Sequence, residues 1–207
     1  MSNTSIPPPT VFVVDDDSAI RGAMHALLES VDLACETFAT GEDFLASYDE
    51  QRPGCLVLDI RMPSMSGLEL QERLNSLGCS LPIIFLTGHG DVPMAVEAMR
   101  KGAIDFLQKP FRDQELLDRV AAALATDASR RNAEQQHAEI EARTATLTKR
   151  EREVYDLVVS GMPNKQAAYE LGVSQRTIEI HRARVMKKMH AKSLAELVRM
   201  HLASVRP

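Results

Sequence analysis

The sequence predicts an α/β unit built on a doubly wound, five-stranded parallel sheet, followed by a small all-α unit. Between residues 10 and 125, strand-like apolar runs alternate five times with helix-like stretches. This alternation is typical of a parallel sheet with right-handed crossovers and helices on both faces.

The charge changes sign along the chain. Residues 1–125 carry 9 Lys and Arg against 19 Asp and Glu, whereas residues 126–207 carry 15 against 10. Together with the length of 207 residues, this indicates two small domains, the second suited to nucleic acid.

The strand at residues 55–59 is the centre of the predicted sheet. Its sequence, Cys55-Leu-Val-Leu-Asp59, is an apolar run of the kind that is covered on both faces of a sheet. The five expected strands are residues 10–14, 33–38, 55–59, 82–87 and 103–107. The expected helices lie near residues 18–30, 41–50, 66–76, 91–101 and 112–125. Ser66-Gly-Leu-Glu69 resembles a capping box and predicts the start of the third helix.

The ends of the first domain are defined by composition. Residues 1–9 contain three prolines in a row and lack both the basic and the apolar segment of a signal peptide, which predicts a disordered tail. The α/β unit is expected over residues 10–125. Residues 126–145 are polar and rich in Ala, Glu, Gln and Arg. This favours a solvated linker helix over a coiled coil, because the heptad pattern is weak.

Residues 146–207 predict a compact helical domain. Thr148-Lys-Arg-Glu151 is a second capping box, and Gly161 follows the helix that it opens. Small residues and a Gly-containing turn lie between Ala167 and Ser174, as they do where the two helices of a helix-turn-helix pack.

Several protein classes are not supported. The three cysteines have no CxxC spacing, so neither a disulfide framework nor a zinc site is expected. No run approaches the roughly 18 apolar residues of a membrane span. A cytoplasmic protein without membrane contact is therefore predicted. The chain also lacks the GxxxxGK[ST] motif of P-loop ATPases.

Acidic side chains follow two of the predicted strands. Asp15-Asp16-Asp17 comes directly after residues 10–14, and Asp59 ends the central strand. The carboxyl ends of parallel strands meet at one edge of a sheet, so these carboxylates are expected to lie close together. Their repulsion would raise at least one pKa, and a hard cation such as Mg²⁺ would relieve it. A solvated acidic turn is the alternative for Asp15-Asp16-Asp17.

A carboxylate at such an edge has a specific chemical use. Its oxygen can attack phosphorus and form an aspartyl phosphate, while a metal ion neutralises the developing charge. Lys109 and Thr87 each close a strand at the same predicted edge. They would supply a cation and a hydroxyl to the transferred group.

Four segments resemble the receiver domain of two-component response regulators: Val13–Asp17, Leu58–Pro63, Thr87-Gly88 and Gly102–Pro110. The resemblance implies a flavodoxin-like fold with strand order 2-1-3-4-5. It also implies that Asp59 accepts a phosphoryl group from a sensor histidine kinase. The other implied roles are Mg²⁺ or Mn²⁺ binding by Asp16, Asp59 and the carbonyl of Arg61, a water-mediated metal contact by Asp15, phosphoryl contact by Lys109, and switching by Thr87 and Phe106. The Lys109-Pro110 bond is often cis in receivers, but X-Pro bonds default to trans, and the sequence leaves this open.

The second half is similar to the LuxR/NarL-type helix-turn-helix over residues 146–204. The segments that carry this resemblance are Leu147–Val154, Gly161–Lys165, Leu171–Ser174, Thr177–His181 and Ser193–Val198. Combined with the receiver, the pattern resembles the FixJ-like branch of the NarL/FixJ family.

Helix geometry predicts which face reads DNA. With 100° per residue, Val185 and Met189 each fall within about 20° of Ile178, and the three form the buried stripe. The family's base contacts fall by position on Glu179, Ile180 and Ala183, which point the other way. Glu179 could accept from cytosine, and the other two could meet thymine methyls. Phosphate contacts are expected from Arg176, Arg184, Lys187 and Lys165.

The predicted function is a response-regulator transcription factor. Phosphorylation of Asp59 is expected to pair two receivers through Val92, Val96 and Met99, and so to strengthen promoter binding. RNA polymerase is an expected partner, and no enzymatic activity is expected beyond self-phosphorylation and autodephosphorylation. The alternatives are a DNA-binding regulator that works without phosphate and an aspartate-nucleophile phosphatase. The phosphatase usually has a second Asp where this chain has Arg61. The cognate kinase, the promoter, the sign of regulation and any masking of the DNA-binding domain stay open.

Overall fold

The computed structural model describes residues 8–88 and 92–205, without the side chains of Val92 and Val205. The chain divides into two compact units, one ending at Arg130 and the other starting at Arg131. Most of the predicted tail, residues 1–7, lies outside the described residues. Within the described ranges, no helix combines the length and the apolar character needed to span a membrane.

The first unit contains the predicted five-stranded parallel sheet. Its strands are β1 (Thr10–Val14), β2 (Ala34–Phe38), β3 (Gly54–Asp59), β4 (Ile83–Thr87) and β5 (Asp105–Gln108). All neighbours pair in parallel in the order β2-β1-β3-β4-β5. This confirms the predicted strand order. β1, β3 and β4 are buried along their whole length, which explains their continuous apolar runs.

The sheet is covered on both faces, as predicted for a doubly wound fold. The helices of this unit are α1 (Ser18–Glu29), α2 (Gly41–Ser47), α3 (Gly67–Ser76), α4 (Val92–Arg100) and α5 (Asp113–Ala145), the last of which continues into the second unit. Alternate strand residues enter different cores because successive side chains point to opposite faces. Leu56 and Leu58 pack in one core cluster with Leu70, whereas Val57 packs in the other with Met24.

Several element boundaries differ from the prediction by two or more residues, among them those of β5 and α5. β5 begins at Asp105 rather than at residue 103, because Ala103 still belongs to the turn that ends α4. Its backbone N–H donates to Ala98 O at 3.0 Å. Gly102 takes a φ of +97° in that turn, which favours glycine. Another difference is in α5, which is one helix from Asp113 to Ala145 and does not end at residue 125.

One residue near the start of the predicted linker helix is buried rather than solvated. Asp127 is 2% exposed. One of its carboxylate oxygens accepts from Gly54 N at 3.0 Å, and the other accepts from Arg130 Nη2 at 2.5 Å. The solvated interpretation is therefore wrong at this residue. It also fails at Ile140, which is 7% exposed and belongs to the core of the second unit.

The second unit is helical, as predicted. It contains the end of α5 followed by α6 (Lys149–Val159), α7 (Asn164–Glu170), α8 (Gln175–Met189) and α9 (Leu194–Val205). The predicted capping boxes at Ser66 in the first unit and Thr148 in the second are both complete, with reciprocal bonds to Glu69 and Glu151. Gly172 lies between α7 and α8 with a φ of +64°. A residue without a Cβ suits this tight turn.

Candidate functional site

The pairing of the strands brings the predicted site residues of the first unit to one edge of the sheet. Val14 pairs with Leu58, Asp59 with Leu86, and Thr87 with Gln108. Four predicted site residues therefore stand at one edge of the sheet, at or just after the ends of neighbouring strands: Asp15, Asp59, Thr87 and Lys109. This is the edge where open α/β sheets bind their ligands.

Lys109 bridges two buried carboxylates at this edge. Its Nζ donates to Asp15 Oδ2 at 2.7 Å and to Asp59 Oδ1 at 2.5 Å. Asp15 is 1% exposed and Asp59 is 7% exposed. A single ammonium therefore reduces the repulsion between two carboxylates that follow adjacent strands. This arrangement depends on the fold, because Lys109 is 94 residues from Asp15 and 50 from Asp59 in the chain.

Backbone donors hold the second oxygen of each carboxylate. Asp15 Oδ1 accepts from Asp17 N at 2.9 Å, and Asp59 Oδ2 accepts from Arg61 N at 2.7 Å. The side chain of Asp17 has a different use, since it accepts from Ala19 N at 2.8 Å and caps α1. Within Asp15-Asp16-Asp17, Asp15 therefore belongs to the site, whereas Asp17 caps a helix.

The environment perturbs both partners of the Asp59–Lys109 pair. Burial raises the pKa of Asp59 and the charge of Asp15 adds to this, while the hydrogen bond from Lys109 opposes it. Burial alone would lower the pKa of Lys109. Its hydrogen bonds to Asp15 and Asp59 outweigh burial, and the pKa is raised. Asp59 is therefore a desolvated carboxylate held beside a firmly charged ammonium.

The structure does not bring Asp16 into this cluster. Asp16 is exposed, and in the part of the chain that the structure describes, no three His, Cys, Asp or Glu side chains gather as a metal-binding group. Lys109 lies between the two buried carboxylates, where the sequence predicted a metal ion to relieve their repulsion. The donors assigned to Mg²⁺, namely Asp16, Asp59 and the carbonyl of Arg61, are all oxygen ligands of the kind that hard cations prefer.

The predicted switch residues lie on adjacent strands with opposite exposure. Thr87 is 3% exposed, and its hydroxyl donates to Leu107 O at 3.4 Å. Phe106 is 41% exposed. Next to them, the Lys109-Pro110 bond is cis, the alternative that the sequence left open.

Helix α8 has the predicted buried stripe. Ile178, Val185 and Met189 are at most 1% exposed. The residues predicted to touch DNA are all exposed: Lys165, Arg176, Glu179, Ile180, Ala183, Arg184 and Lys187. Ile180 is 43% exposed. Burial in this unit does not explain an isoleucine at that position, whereas contact with a base methyl would.

Side chains that the sequence analysis missed hold α7 and α8 in place. Arg182 donates to Asn164 Oδ1 at 2.7 Å, which joins the first turn of α7 to the middle of α8. Arg150, in α6, donates to Leu171 O at the end of α7 at 2.6 Å. Arg182 follows Ile178 by four residues and so borders the buried stripe, the one signal that could have indicated a structural role. Lys165, the residue after Asn164, therefore follows a backbone position that is tied to α8.

The predicted pairing surface on α4 is partly described. Val96 is 48% exposed and Met99 is 39% exposed. Both face away from the sheet, because Ala95 and Ala98 on the same helix are buried. The side chain of Val92 lies outside the described residues.

Comparison with known proteins agrees with both halves of the chain. Residues 11–121 match the family model for the response regulator receiver domain, and residues 145–201 match that for bacterial regulatory proteins of the luxR family. The chain belongs to the NarL/FixJ-type response regulators. It is therefore a transcription regulator with a receiver and a LuxR-type DNA-binding domain, and its family is not one of classical enzymes. A kinase and DNA are the partners that these two domains imply.

Similar proteins match the chain along nearly its whole length. Nodulation protein W of Bradyrhizobium diazoefficiens is 50% identical over 92% of this chain and 84% of its own length. The transcriptional regulatory protein FixJ of Azorhizobium caulinodans is 48% identical over 95% and 94%. Among solved structures, the response regulator StyR has a TM-score of 0.86 at 45% identity, covering 95% of this chain and 99% of its own. Full-length FixJ from B. japonicum has a TM-score of 0.59 at 41% identity, covering 95% and 97%.

Proposed function

We propose that Asp59 accepts a phosphoryl group from a sensor histidine kinase, and that this modification pairs receivers and strengthens binding to promoter DNA. The observation that carries the proposal is the double contact of Lys109 Nζ with Asp15 and Asp59 at 2.7 and 2.5 Å. It holds a buried carboxylate oxygen beside a cation at the ligand-binding edge of the sheet.

In the transfer step, an oxygen of Asp59 attacks phosphorus. A P–O bond forms as the P–N bond of the donor phosphohistidine breaks, and the histidine leaves with the electron pair of that bond. Lys109 is placed to exchange its contact with Asp59 for one with a phosphoryl oxygen. The hydroxyl of Thr87, two strands from Asp15, is the proposed donor to another phosphoryl oxygen.

Asp16, Asp59 and the carbonyl of Arg61 are the residues that would hold Mg²⁺, with Mn²⁺ as a substitute. A divalent ion there would supply positive charge against the charge that develops during phosphoryl transfer. The exposed carboxylate of Asp16 is available to complete an oxygen donor set with Asp59, and Asp15 would contribute through water.

Phosphorylation adds about −1.5 to −2 charge at the edge of the sheet. In the proposed switch, Thr87 and Lys109 move toward the phosphoryl group and Phe106 turns inward from its exposed position. The accompanying shift of α4 changes the surface that contains Val96 and Met99, and Val92 would complete it. Two paired chains then present two reading helices to paired half-sites, and RNA polymerase is the expected downstream partner.

The test measures the size of the full-length protein by sedimentation velocity, with and without beryllofluoride and Mg²⁺. The proposal expects the wild type to change from monomer to dimer and to bind promoter DNA more tightly. Asp59→Asn should do neither. If the Asn variant dimerises as the wild type does, the phosphorylation mechanism is wrong.

The same experiment tests a regulator that works without phosphate. That alternative expects DNA binding by the wild type that does not respond to beryllofluoride. The buried and bridged position of Asp59 favours the phosphorylated mechanism, because a merely structural edge has no need of two desolvated carboxylates.

A further inference from the structure

Helix α3 starts directly against the strand end that carries Asp59. Gly67 N donates to Ile60 O at 3.0 Å. A Cβ at Gly67 would lie 2.2 Å from the backbone oxygen of Asp59, so no larger residue fits without a shift of the backbone. The first turn of α3 must therefore follow any movement of the backbone at the phosphoacceptor.

One turn further along, α3 contains a glutamine within its buried stripe. Gln71 is 0% exposed, as are Leu70 and Leu74 of the same helix. Its Nε2 donates to Ala98 O in the last turn of α4 at 3.0 Å. Its Oε1 is buried and has no hydrogen-bond partner among the residues that the structure describes. A polar side chain kept in an apolar stripe at this cost indicates that its single bond has a specific role.

That bond contributes to the cap at the carboxyl end of α4. The last carbonyls of a helix lack partners within the helix and need outside donors. Ala98 O accepts from Lys101 N at 3.1 Å and from Ala103 N at 3.0 Å, and the amide of Gln71 is its third donor. Asn75, one turn after Gln71, donates from Nδ2 to Lys101 O at 2.9 Å. Two amide side chains of α3 therefore hold the end of α4.

A surface ion pair joins the same two helices. Lys101 Nζ lies 2.6 Å from Glu72 of α3 and 2.6 Å from Glu97 of α4. Ion pairs of this kind contribute little to the stability of the contact between two helices, because their side chains are substantially solvated. The amide bonds, and above all the fully buried one from Gln71, are the specific connection.

We propose that Gln71 is a positioning residue that caps the carboxyl end of α4 and holds the helix in the resting orientation of its exposed face. The bond between Gln71 and Ala98 links α3, which is fixed to the backbone at Asp59, to the helix that presents Val96 and Met99. The inference rests on the proposed function, since it specifies how phosphorylation of Asp59 reaches the pairing surface by a route separate from Thr87 and Phe106.

The test replaces Gln71 by methionine, which has nearly the same size but no amide. Dimer dissociation constants of the full-length protein are measured by sedimentation with and without saturating beryllofluoride and Mg²⁺. Without the mimic, Gln71→Met should dimerise about 25-fold more tightly, because each of the two chains loses one resting-state hydrogen bond worth about a factor of five. With the mimic, its constant should stay within about twofold of the wild type. A glutamine that only stabilises the fold would leave the ratio of the two constants unchanged, and that result overturns the proposal.

Two further variants complete the design. Gln114→Met makes the same chemical change at an exposed glutamine whose amide donates to Asp118 of its own helix, and it should leave both constants unchanged. Asn75→Ala removes the exposed amide bond and should shift the resting constant in the same direction as Gln71→Met, by about twofold. If Gln71→Met does not fold, the Asn75 variant decides the outcome.

Binding of beryllofluoride, followed by ¹⁹F NMR, separates the two proposals. A wild type that takes up no mimic contradicts the phosphoacceptor function itself. A wild type that binds the mimic and dimerises, together with an unchanged ratio in Gln71→Met, contradicts the role of Gln71 alone.

Discussion

At the scale of single residues, the acidic edge depends on one ammonium group that serves two buried carboxylates. Asp15 and Asp59 are each less than a tenth exposed, so neither is well solvated by water. Lys109 contacts both and is itself held between them. An ion pair of this kind contributes less through its own attraction than through the cost of breaking it, because the remaining partner would be a buried charge without compensation.

We therefore expect Lys109→Met to destabilise the first unit in a pH-dependent way. Without the ammonium, burial and Asp15 would raise the pKa of Asp59 further above its value in the unfolded chain. A folded-state pKa above the unfolded one means that the folded chain holds its proton more tightly. The free energy of unfolding of Lys109→Met should then be about 2 kcal/mol lower than that of the wild type at pH 7.5. This difference should become smaller as the pH falls toward 5.5.

Hydrogen exchange of peptides covering β3, measured in the presence of EDTA, reports this stability directly. Lys101→Met is the matched control, because Lys101 contacts two carboxylates whose side chains are more than half exposed. It should change stability by less than about 0.5 kcal/mol at either pH. Equal losses in the two lysine variants would contradict the role given to burial.

The residues of this edge were predictable because each follows an apolar run, and parallel strands end at a common edge. Asp59, Thr87 and Lys109 needed only that rule. Gln71 and Asp127 did not follow from it. Gln71 shares a helix face with two leucines, which hinted at burial. Its partner is a backbone carbonyl 27 residues away, and only the packed structure specifies such a contact.

At the scale of elements, α5 illustrates how a polar sequence becomes part of a core. The stretch after residue 125 has a helical composition but no clear apolar stripe, so the sequence predicted a solvated helix. In the structure, Asp127 provides an acceptor for the backbone N–H of Gly54 at the first residue of β3. The first turns after residue 125 therefore belong structurally to the sheet unit.

Asp127→Ala should lower the stability of the first unit by about 1–3 kcal/mol, because a buried backbone donor is left without its acceptor. The matched control is Asp118→Ala on the same helix, where the carboxylate is exposed and accepts from Gln114. Hydrogen exchange at the start of β3 should increase in the first variant alone. If both variants behave alike, Asp127 contributes only charge.

The capping box of α6 makes a second prediction at this scale. Glu151 is 4% exposed. The hydrogen bond from Lys188 at 2.6 Å, together with the backbone N–H of Thr148, lowers the pKa of Glu151 to about 2. A carboxyl whose folded pKa lies below its unfolded value stabilises the fold above the unfolded pKa. That contribution declines as the pH falls through the folded pKa.

Glu151→Gln keeps a side-chain oxygen for the capping box but removes the charge. At pH 7 it should lower the melting temperature of the helical unit by several degrees, as followed by circular dichroism. The difference in melting temperature between this variant and the wild type should become progressively smaller between pH 4.5 and pH 2. A difference in melting temperature that is constant over this pH range would show that the charge of Glu151 does not contribute to stability.

At the scale of the whole molecule, the two halves of the chain carry opposite charge for different chemical reasons. The acidic excess of residues 1–125 includes the buried carboxylates Asp15 and Asp59, and the basic excess of residues 126–207 includes the exposed cations around α8. The sequence predicted the exposed face of α8 correctly, because a 3.6-residue period fixes which side chains share a face. It did not predict the Asn164–Arg182 bond, which depends on how α7 packs on α8.

This division of the reading surface predicts two kinds of DNA-binding defect. Lys187→Ala removes an exposed cation and should weaken binding to all sequences alike, while reducing the slope of log K against log salt by about 1 for each bound chain. Glu179→Ala removes an acceptor on the proposed base-reading face. It should leave the salt slope nearly unchanged and relax the preference at one base pair by about 1–3 kcal/mol. Selection from random duplexes, followed by salt titrations of the selected site, measures both. A loss of base preference in Lys187→Ala, or an altered salt slope in Glu179→Ala, would mean that the base and phosphate contacts of α8 have been assigned the wrong way round.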